Sequence, residues 1–277
     1  MSMPALAAAA EPAAAVDLLA PVIANDWVND EYKHLVLEAG APACLAGAGQ
    51  FFHLLCPATG ADQPFFRRPM STYRADEAAG RVEFLYKVTG RGTRGLATLR
   101  PGDRLRMLGP LGIGFSLDAT WRNIVVLGRG VGLATLAPLA AMAARQGVGV
   151  TAILSARSLA HVMSVSAFNE MGARTIVVTD TDGSSAPCRV ETLLRGLIAA
   201  GRADAFFTCG SNRLLELMQR LGAEHGIPGQ VALEQQMACG LGMCFCCVRP
   251  FREGGREVHK RVCWDGPVFP LEEAMGW

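Results

Sequence analysis

The sequence predicts a mixed β and α/β protein, with an N-terminal antiparallel β-barrel, a central parallel α/β domain and a small cysteine-rich C-terminal segment. Three observations carry this prediction. Between Pro21 and about Asp118, short apolar or alternating runs are separated by turn residues. From Asn123 onward, apolar strands alternate with helical stretches. From about Gln230, cysteine dominates and regular periodicity fades.

The barrel rests on Lys33–Leu37, Gln50–Leu55, Val82–Val88 and Asp103–Met107, each short and bounded by Gly, Pro or Asp. Runs of this length and alternation read as strands, and several of them joined by turns suggest a small barrel. The turn clusters are Ala39 to Pro42, Thr89 to Gly92 and Arg100 to Asp103. The α/β part opens with the strand Ile124–Leu127, a turn containing Gly128, Gly130 and Gly132, and an Ala- and Leu-rich helix from Leu133 to Gln146. Strands at Val148–Leu154, Thr175–Val178 and Ala205–Thr208 follow, alternating with helices that include Val190–Ala200 and Asn212–His225. That rhythm implies a parallel sheet covered on both faces. The expected boundaries are a mobile tail over 1–17, the barrel over 18–118, the α/β domain over 119–229 and the cysteine segment over 230–277.

Composition excludes several classes of function. The formal net charge is +1, from 26 basic and 25 acidic residues, and the charges are interspersed. Neither a nucleic-acid surface nor a polybasic membrane anchor is expected from that pattern. No apolar stretch is long enough for a bilayer span. The Ala-rich start carries Glu11 and Asp17 but no Lys or Arg, unlike a secretory signal or a transit peptide. Nine cysteines, odd in number and partly clustered, suit metal ligation in a reducing compartment better than a disulfide framework. A cytoplasmic location is the expectation.

The most specific chemistry is Cys239-x4-Cys244-x2-Cys247, with Cys263 after fifteen intervening residues. Plant-type [2Fe–2S] sites use C-x4-C-x2-C…C, in which backbone amides of the ligand loop hydrogen-bond the anionic sulfurs. Gly240 and Gly242 give this loop the freedom to approach closely. The competing readings are a structural zinc site, which the four-residue gap fits poorly, and a set of inert buried thiols. Cys246 has the wrong spacing for a ligand. Cys44, Cys56, Cys188 and Cys209 are scattered, and small core residue is the default for most of them.

Two weaker signals point to nucleotides. Arg68-Pro69-Met70-Ser71 sits at the end of a predicted barrel strand. An Arg there can neutralise a pyrophosphate, and a Ser hydroxyl can hydrogen-bond a flavin ring. Leu85-Tyr86-Lys87 is placed to cover the flavin, and Gly92-Thr93 to offer an amide and a hydroxyl to phosphate. Gly128-x-Gly130-x-Gly132 lies between a strand and a helix, where a helix N-terminus can receive phosphate. It lacks the G-x-G-x-x-G spacing, and Arg157 serves equally as a 2′-phosphate partner or as surface charge, so NAD and NADP both stay open.

Taken in order, these strings resemble one family, the electron-transfer subunits of dihydroorotate dehydrogenase B within the ferredoxin–NADP reductase superfamily. The resemblance runs from about residue 20 to residue 270. It is carried by Gly49-Gln50-Phe51, Arg68 to Ser71, Gly90-x-Gly92-Thr93, Leu108 to Phe115 and Thr208-Cys209-Gly210. Its most specific carriers are Leu233-Glu234-x-x-Met237-Ala238-Cys239-Gly240 and Lys260 to Phe269. The resemblance implies FAD contacts at Arg68, Pro69, Met70, Ser71, Leu85, Tyr86, Lys87, Gly92 and Thr93. It implies NADH or NADPH at the Gly128, Gly130 and Gly132 turn, and Cys239, Cys244, Cys247 and Cys263 as ligands of a [2Fe–2S] cluster. It places Cys209 near the nicotinamide and makes it, with Ser71, a candidate catalytic residue.

The implied function is a reductase component that passes electrons between NAD(P)H, FAD and the cluster to or from a partner subunit, a flavoprotein or another oxidoreductase. The organic substrate then sits on that partner. The chain departs from the family pattern at Arg129, at Ala134 to Leu136, at Ser211 and over Ala186 to Cys188, which bears on the pyridine nucleotide and on the partner. A redox-sensing iron–sulfur binding module without NAD(P)H turnover is the second reading.

Overall fold

A computed structural model describes residues 14–60 and 62–276. Seven strands build the first sheet: β1 (Val16–Trp27), β2 (Tyr32–Glu38), β3 (Phe51–Leu54), β4 (Arg68–Ser71), β5 (Arg74–Asp76), β6 (Arg81–Lys87) and β7 (Arg104–Leu111). Their order is β4-β3-β7-β1-β2-β6-β5, with antiparallel pairing, and the sheet curls until β4 approaches β6. Alternation explains the curl's interior. Leu35 and Leu37 of β2, Phe52 and Leu54 of β3, and Val82, Phe84 and Tyr86 of β6 all point into one apolar core.

The strands β1 and β5 are additions to the sequence-based expectation, and β4 lies where Arg68 to Ser71 was expected to end a barrel strand. β1 begins at Val16, inside the stretch expected to be a tail; residues 1–13 lie outside the described residues. The strands β4 and β5 are short and mostly polar, so they carry no readable period. The expected turn at Thr89 to Gly92 is the start of a short helix, α1 (Arg91–Ala97). The Thr93 hydroxyl holds that start together by accepting the N–H groups of Thr89 at 2.9 Å and Gly90 at 3.0 Å.

One buried polar group ties the barrel to α1. The Asn25 amide donates to the carbonyls of Leu96 at 2.9 Å and Leu99 at 3.0 Å. Its oxygen accepts the Tyr86 hydroxyl at 3.0 Å.

The second sheet takes β8 (Asn123–Arg129), β9 (Gly149–Ala156), β10 (Arg174–Thr179), β11 (Ala205–Cys209) and β12 (Gly229–Ala232). A hairpin of β13 (Val248–Glu253) and β14 (Arg256–Arg261) precedes its sixth strand, β15 (Val268–Pro270). The order is β10-β9-β8-β11-β12-β15, parallel throughout except for β15. The helices are α2 (Gly132–Arg145), α3 (Val165–Glu170), α4 (Pro187–Ala199) and α5 (Asn212–His225).

Side chains of the sheet strands alternate strictly between two cores. Val125, Leu127, Ile153 and Phe206 meet Val190 and Leu194 of α4 and Leu214, Met218 and Leu221 of α5. Ile124, Val126, Ala152 and Phe207 meet Leu133, Leu136 and Ala140 of α2 and Phe168 of α3. Both faces are therefore covered, as a continuous apolar parallel sheet requires.

The cysteine segment is not an appendage. A boundary between 229 and 230 falls inside β12, and β12 pairs with β15. Met237, Cys247, Phe251, Val262, Cys263 and Phe269 share a core with the α/β sheet and with Phe51 and Leu111 of the barrel. Among the described residues, no helix is long and apolar enough to cross a membrane.

The Asn25 node yields a stability prediction. Asn25→Leu strands the buried Tyr86 hydroxyl and the Leu99 carbonyl, each costly without a partner, while the Leu96 carbonyl keeps its bond from the Leu99 N–H. The variant is expected to lose about 3 kcal/mol of unfolding free energy in a urea titration, on the order of one to two such groups. A loss below about 0.5 kcal/mol, the range of an ordinary surface substitution, would contradict this role.

Candidate functional site

A cleft of about 760 Å³ opens where the barrel, the α/β sheet and the C-terminal segment meet. One wall is barrel: Arg68, Pro69, Met70 and Ser71 of β4, with Leu85, Tyr86 and Lys87 of β6. The opposite wall brings Val131 and Thr135 from the start of α2 and Leu233, Glu234, Met237, Ala238 and Cys246 from the C-terminal segment. Seven of the residues expected to contact FAD thus face one space.

At the barrel end the Arg68 guanidinium donates to the carbonyls of Phe66 at 2.5 Å and Arg67 at 3.4 Å. Gly92 at the start of α1 lies against the Arg68 side chain. Neither Gly92 nor Thr93 is in the cleft wall, which Thr89 lines instead. The Thr93 hydroxyl, expected to serve a phosphate, is engaged in the helix start, and it also donates to the Gly90 carbonyl at 3.1 Å. Lys87 forms an ion pair with Glu31 at 3.0 Å.

The glycine turn reaches the cleft through Val131; Gly128, Gly130 and Gly132 lie behind it. A Cβ on Gly132 would sit 2.5 Å from the Cys209 carbonyl oxygen, so only glycine lets α2 begin against the end of β11. Arg129 spans the carboxyl ends of β8, β9 and β10, donating to Ser155 at 3.0 Å and to Asp180 at 2.5 Å. Arg157 is engaged by Glu31 at 3.1 Å and by His161 at 2.8 Å.

Cys209 is buried one layer behind the cleft rather than in its wall. Its thiol lies 4.0 Å from the Glu234 carboxylate and beside the Thr135 hydroxyl. Burial, reinforced by the Glu234 charge, pushes that thiol far above its ordinary range, so it keeps its proton at neutral pH. Glu234 is enclosed by protein on its flanks yet open to water through the cleft, a concave setting that raises its carboxyl by desolvation. Thr135 and Glu234 are site residues that the residue-by-residue reading passed over. The signal for Glu234 was its place in the Leu233-to-Gly240 string.

The cysteines gather at the adjoining rim. The loop from Cys239 to Cys247 turns through Gly240 and Gly242, both at positive φ (71° and 75°). It aims amides at sulfur: Leu241 N–H donates to Cys239 Sγ at 3.3 Å and Gly242 N–H to Cys263 Sγ at 3.2 Å. Cys263 N–H in turn donates to Cys247 Sγ at 3.4 Å. Burial alone would raise Cys239, but amides of Leu241, Cys244 and Met243 outweigh it and lower the thiol. Cys263 is raised by burial and by Cys247.

Among the described residues, no three His, Cys, Asp or Glu side chains converge as ligands of a single ion. The four cysteines lie together at this rim, with the Cys263 amide on Cys247 Sγ and with Cys239 close enough to act on Cys263. A tetrahedral zinc ion would draw four thiolates to one centre. A two-iron cluster takes two on each iron, and the amides of Leu241 and Gly242 aimed at sulfur fit its anionic sulfurs. Cys246 is exposed, lies in the cleft wall and directly precedes Cys247. Around the loop, Leu241, Met243, Phe245 and Trp264 are exposed.

Comparison with known proteins agrees with this geometry. The family described as "Iron-sulfur cluster binding domain of dihydroorotate dehydrogenase B" matches residues 234–274. Over nearly the whole chain the relatives are "Dihydroorotate dehydrogenase B (NAD(+)), electron transfer subunit" proteins. That of Desulforamulus reducens is 32% identical over 251 residues, covering 91% of this chain and 95% of its own. That of a Geobacillus species is 33% identical over 257 residues, covering 92% and 95%. Among solved structures, the NADH-dependent reduced ferredoxin–NADP oxidoreductase superposes with a TM-score of 0.77 at 25% identity, over 92% of this chain and 89% of that one. The ferredoxin reductase of carbazole 1,9a-dioxygenase shares the fold, with a TM-score of 0.62 at 20% identity over 77% of this chain and 67% of that one. By its identity to these relatives across nine-tenths of its length, the chain belongs to the family of dihydroorotate dehydrogenase B electron transfer subunits.

Proposed function

We propose that this chain takes electrons from NADH and delivers them, through FAD and a [2Fe–2S] cluster, to a catalytic subunit of the dihydroorotate dehydrogenase kind or receives them from it. The observation that carries this reading is the shared wall of the cleft. The barrel strands β4 and β6 face Cys246, which directly precedes the cluster-loop residue Cys247. When bound, the flavin and the cluster supply the change from two-electron to one-electron chemistry that a hydride donor requires.

The chain's own residues bind and orient. Arg68 exchanges its bonds to backbone carbonyls for bonds to a pyrophosphate, a stronger charge-assisted pairing. Ser71 lines the flavin side of the cleft beside the backbone of Tyr86, whose ring is anchored in the barrel core by Asn25. A nicotinamide enters from the side of Val131, Thr135 and Glu234. There Cys209 retains its thiol proton behind the wall. Cys239, Cys244, Cys247 and Cys263 hold the cluster as thiolates, and the amides of Leu241 and Gly242 stabilise the sulfur charge.

The exposed Leu241, Met243, Phe245 and Trp264 supply the partner's landing surface. They surround the cluster loop, with Met243 at 79% exposure and Trp264 at 56%. Large apolar side chains grouped at an electron exit are consistent with a covered interface.

Two experiments test the reading. Serine at Cys239, Cys244, Cys247 or Cys263 is expected to remove iron and its visible absorbance while FAD stays bound, whereas Cys246→Ser keeps both. Full iron in any of the four variants would remove that residue from the ligand set, and an iron-free wild-type protein would end the proposal. Separately, Met243→Glu combined with Trp264→Glu is expected to leave NADH-driven ferricyanide reduction intact. Electron delivery to the co-expressed catalytic subunit should fall about tenfold or more, as for loss of an interface anchor. Unchanged delivery would place the partner elsewhere.

A further inference from the structure

His53 occupies the contact between the barrel and the cluster loop, and no step derived above uses it. On β3, Phe52 and Leu54 point into the barrel core, while Phe51 on the other face packs with Met237, Cys247 and Cys263. Alternation puts His53 on that second face. Its side chain has no solvent exposure, and neither Nδ1 nor Nε2 has a hydrogen-bond partner within the protein. A wholly buried imidazole with both nitrogens unpaired is a costly arrangement that native structures rarely keep without a partner.

The direction of the ring shows where that partner lies. A Cβ on Gly240 would stand 2.8 Å from His53 Cε1 and 3.0 Å from each ring nitrogen. The nitrogen-bearing edge of the imidazole is thus pressed against the second residue of the cysteine loop. Only a glycine can occupy that place, independently of its positive φ. Burial, with Arg67 and Arg68 nearby, lowers His53 to about 4, so the ring is neutral and carries one N–H donor. Two sulfurs of this cysteine cluster already act as acceptors, Cys239 Sγ for the Leu241 N–H and Cys263 Sγ for the Gly242 N–H.

We propose that His53, a residue of the flavin barrel, donates its ring N–H to a sulfur of the iron–sulfur centre held by the Cys239–Cys247 loop. It is a positioning residue, reaching the centre from outside the segment that ligates it. The bond couples the seating of the cluster to the barrel, and it stabilises the negative charge that reduction adds at sulfur. The inference rests on the cluster reading above.

The test uses full-length protein labelled with ¹⁵N-histidine, reduced and examined by pulsed electron paramagnetic resonance alongside a potentiometric titration. Wild-type protein is expected to show a histidine ¹⁵N hyperfine coupling to the reduced centre. His53→Phe should lose the coupling at unchanged iron content and titrate at a lower potential. His53→Gln, which restores an N–H donor, should recover part of that shift. Absence of a histidine coupling in wild-type protein that contains the centre overturns the proposal, and so does a potential that His53→Phe leaves unmoved. If His53→Phe fails to fold, the wild-type labelling result decides alone. Wild-type protein with neither iron nor a paramagnetic signal overturns the cluster reading and this inference together.

Discussion

The pairing of β12 with β15 is the constraint on which the site depends. Gln230 opposes Pro270, Val231 opposes Phe269 and Ala232 opposes Val268. Everything between, including all four cysteines of the cluster set, is an excursion whose two ends are held one strand spacing apart on the edge of the α/β sheet. The excursion is then packed from within. Met237, Phe251, Val262 and Phe269 are buried together with Phe51 and Leu111, which belong to the barrel. The thiols hold their place beside the cleft because strand pairing and a common core fix both, not because a flexible loop happens to reach.

That shared core also explains why the cleft has three kinds of wall. The barrel alone would present β4 and β6 as an open surface, and the α/β sheet alone would present the start of α2. The C-terminal segment, running from β12 past Glu234 to Ala238, joins the start of α2 in facing the barrel strands and deepens the surface into a cavity. The buried polar groups follow the same logic. Asn25 satisfies three partners and locks β1, β6 and α1 together, which keeps Tyr86 oriented from below. Cys209 and Glu234 share a concave pocket that favours the protonated forms of both.

Close contacts build the end of the cleft at the start of α2. Gly132 allows α2 to begin in contact with the carbonyl of Cys209, and Arg129 closes over the strand ends by pairing with Asp180. Arg157 and Lys87 both turn to Glu31, a barrel residue, so charge links the two sheets on this side. Such exposed pairs contribute little to stability, but they set which cations face the approach to the cleft.

By itself, the sequence determined whatever depends on local spacing. Short apolar or alternating runs marked four barrel strands and four strands of the parallel sheet, though not Gly229–Ala232, and the helix Asn212–His225 has the bounds its pattern implied. Cysteine spacing singled out the loop from Cys239 to Cys247, and the strings Arg68 to Ser71 and Leu85 to Lys87 both face the cleft. The tertiary structure alone decided what depends on contacts between distant segments. It drew Val16 and Asp17 into β1 through pairing with β7, made Gln230 to Ala232 and Val268 to Pro270 neighbours, and engaged the Thr93 hydroxyl in a helix start. It also set Cys209 behind Glu234 and His53 against Gly240. The reason is physical. Side-chain period reports which face of an element is apolar, whereas the partner that covers that face is selected by the packing of the whole chain.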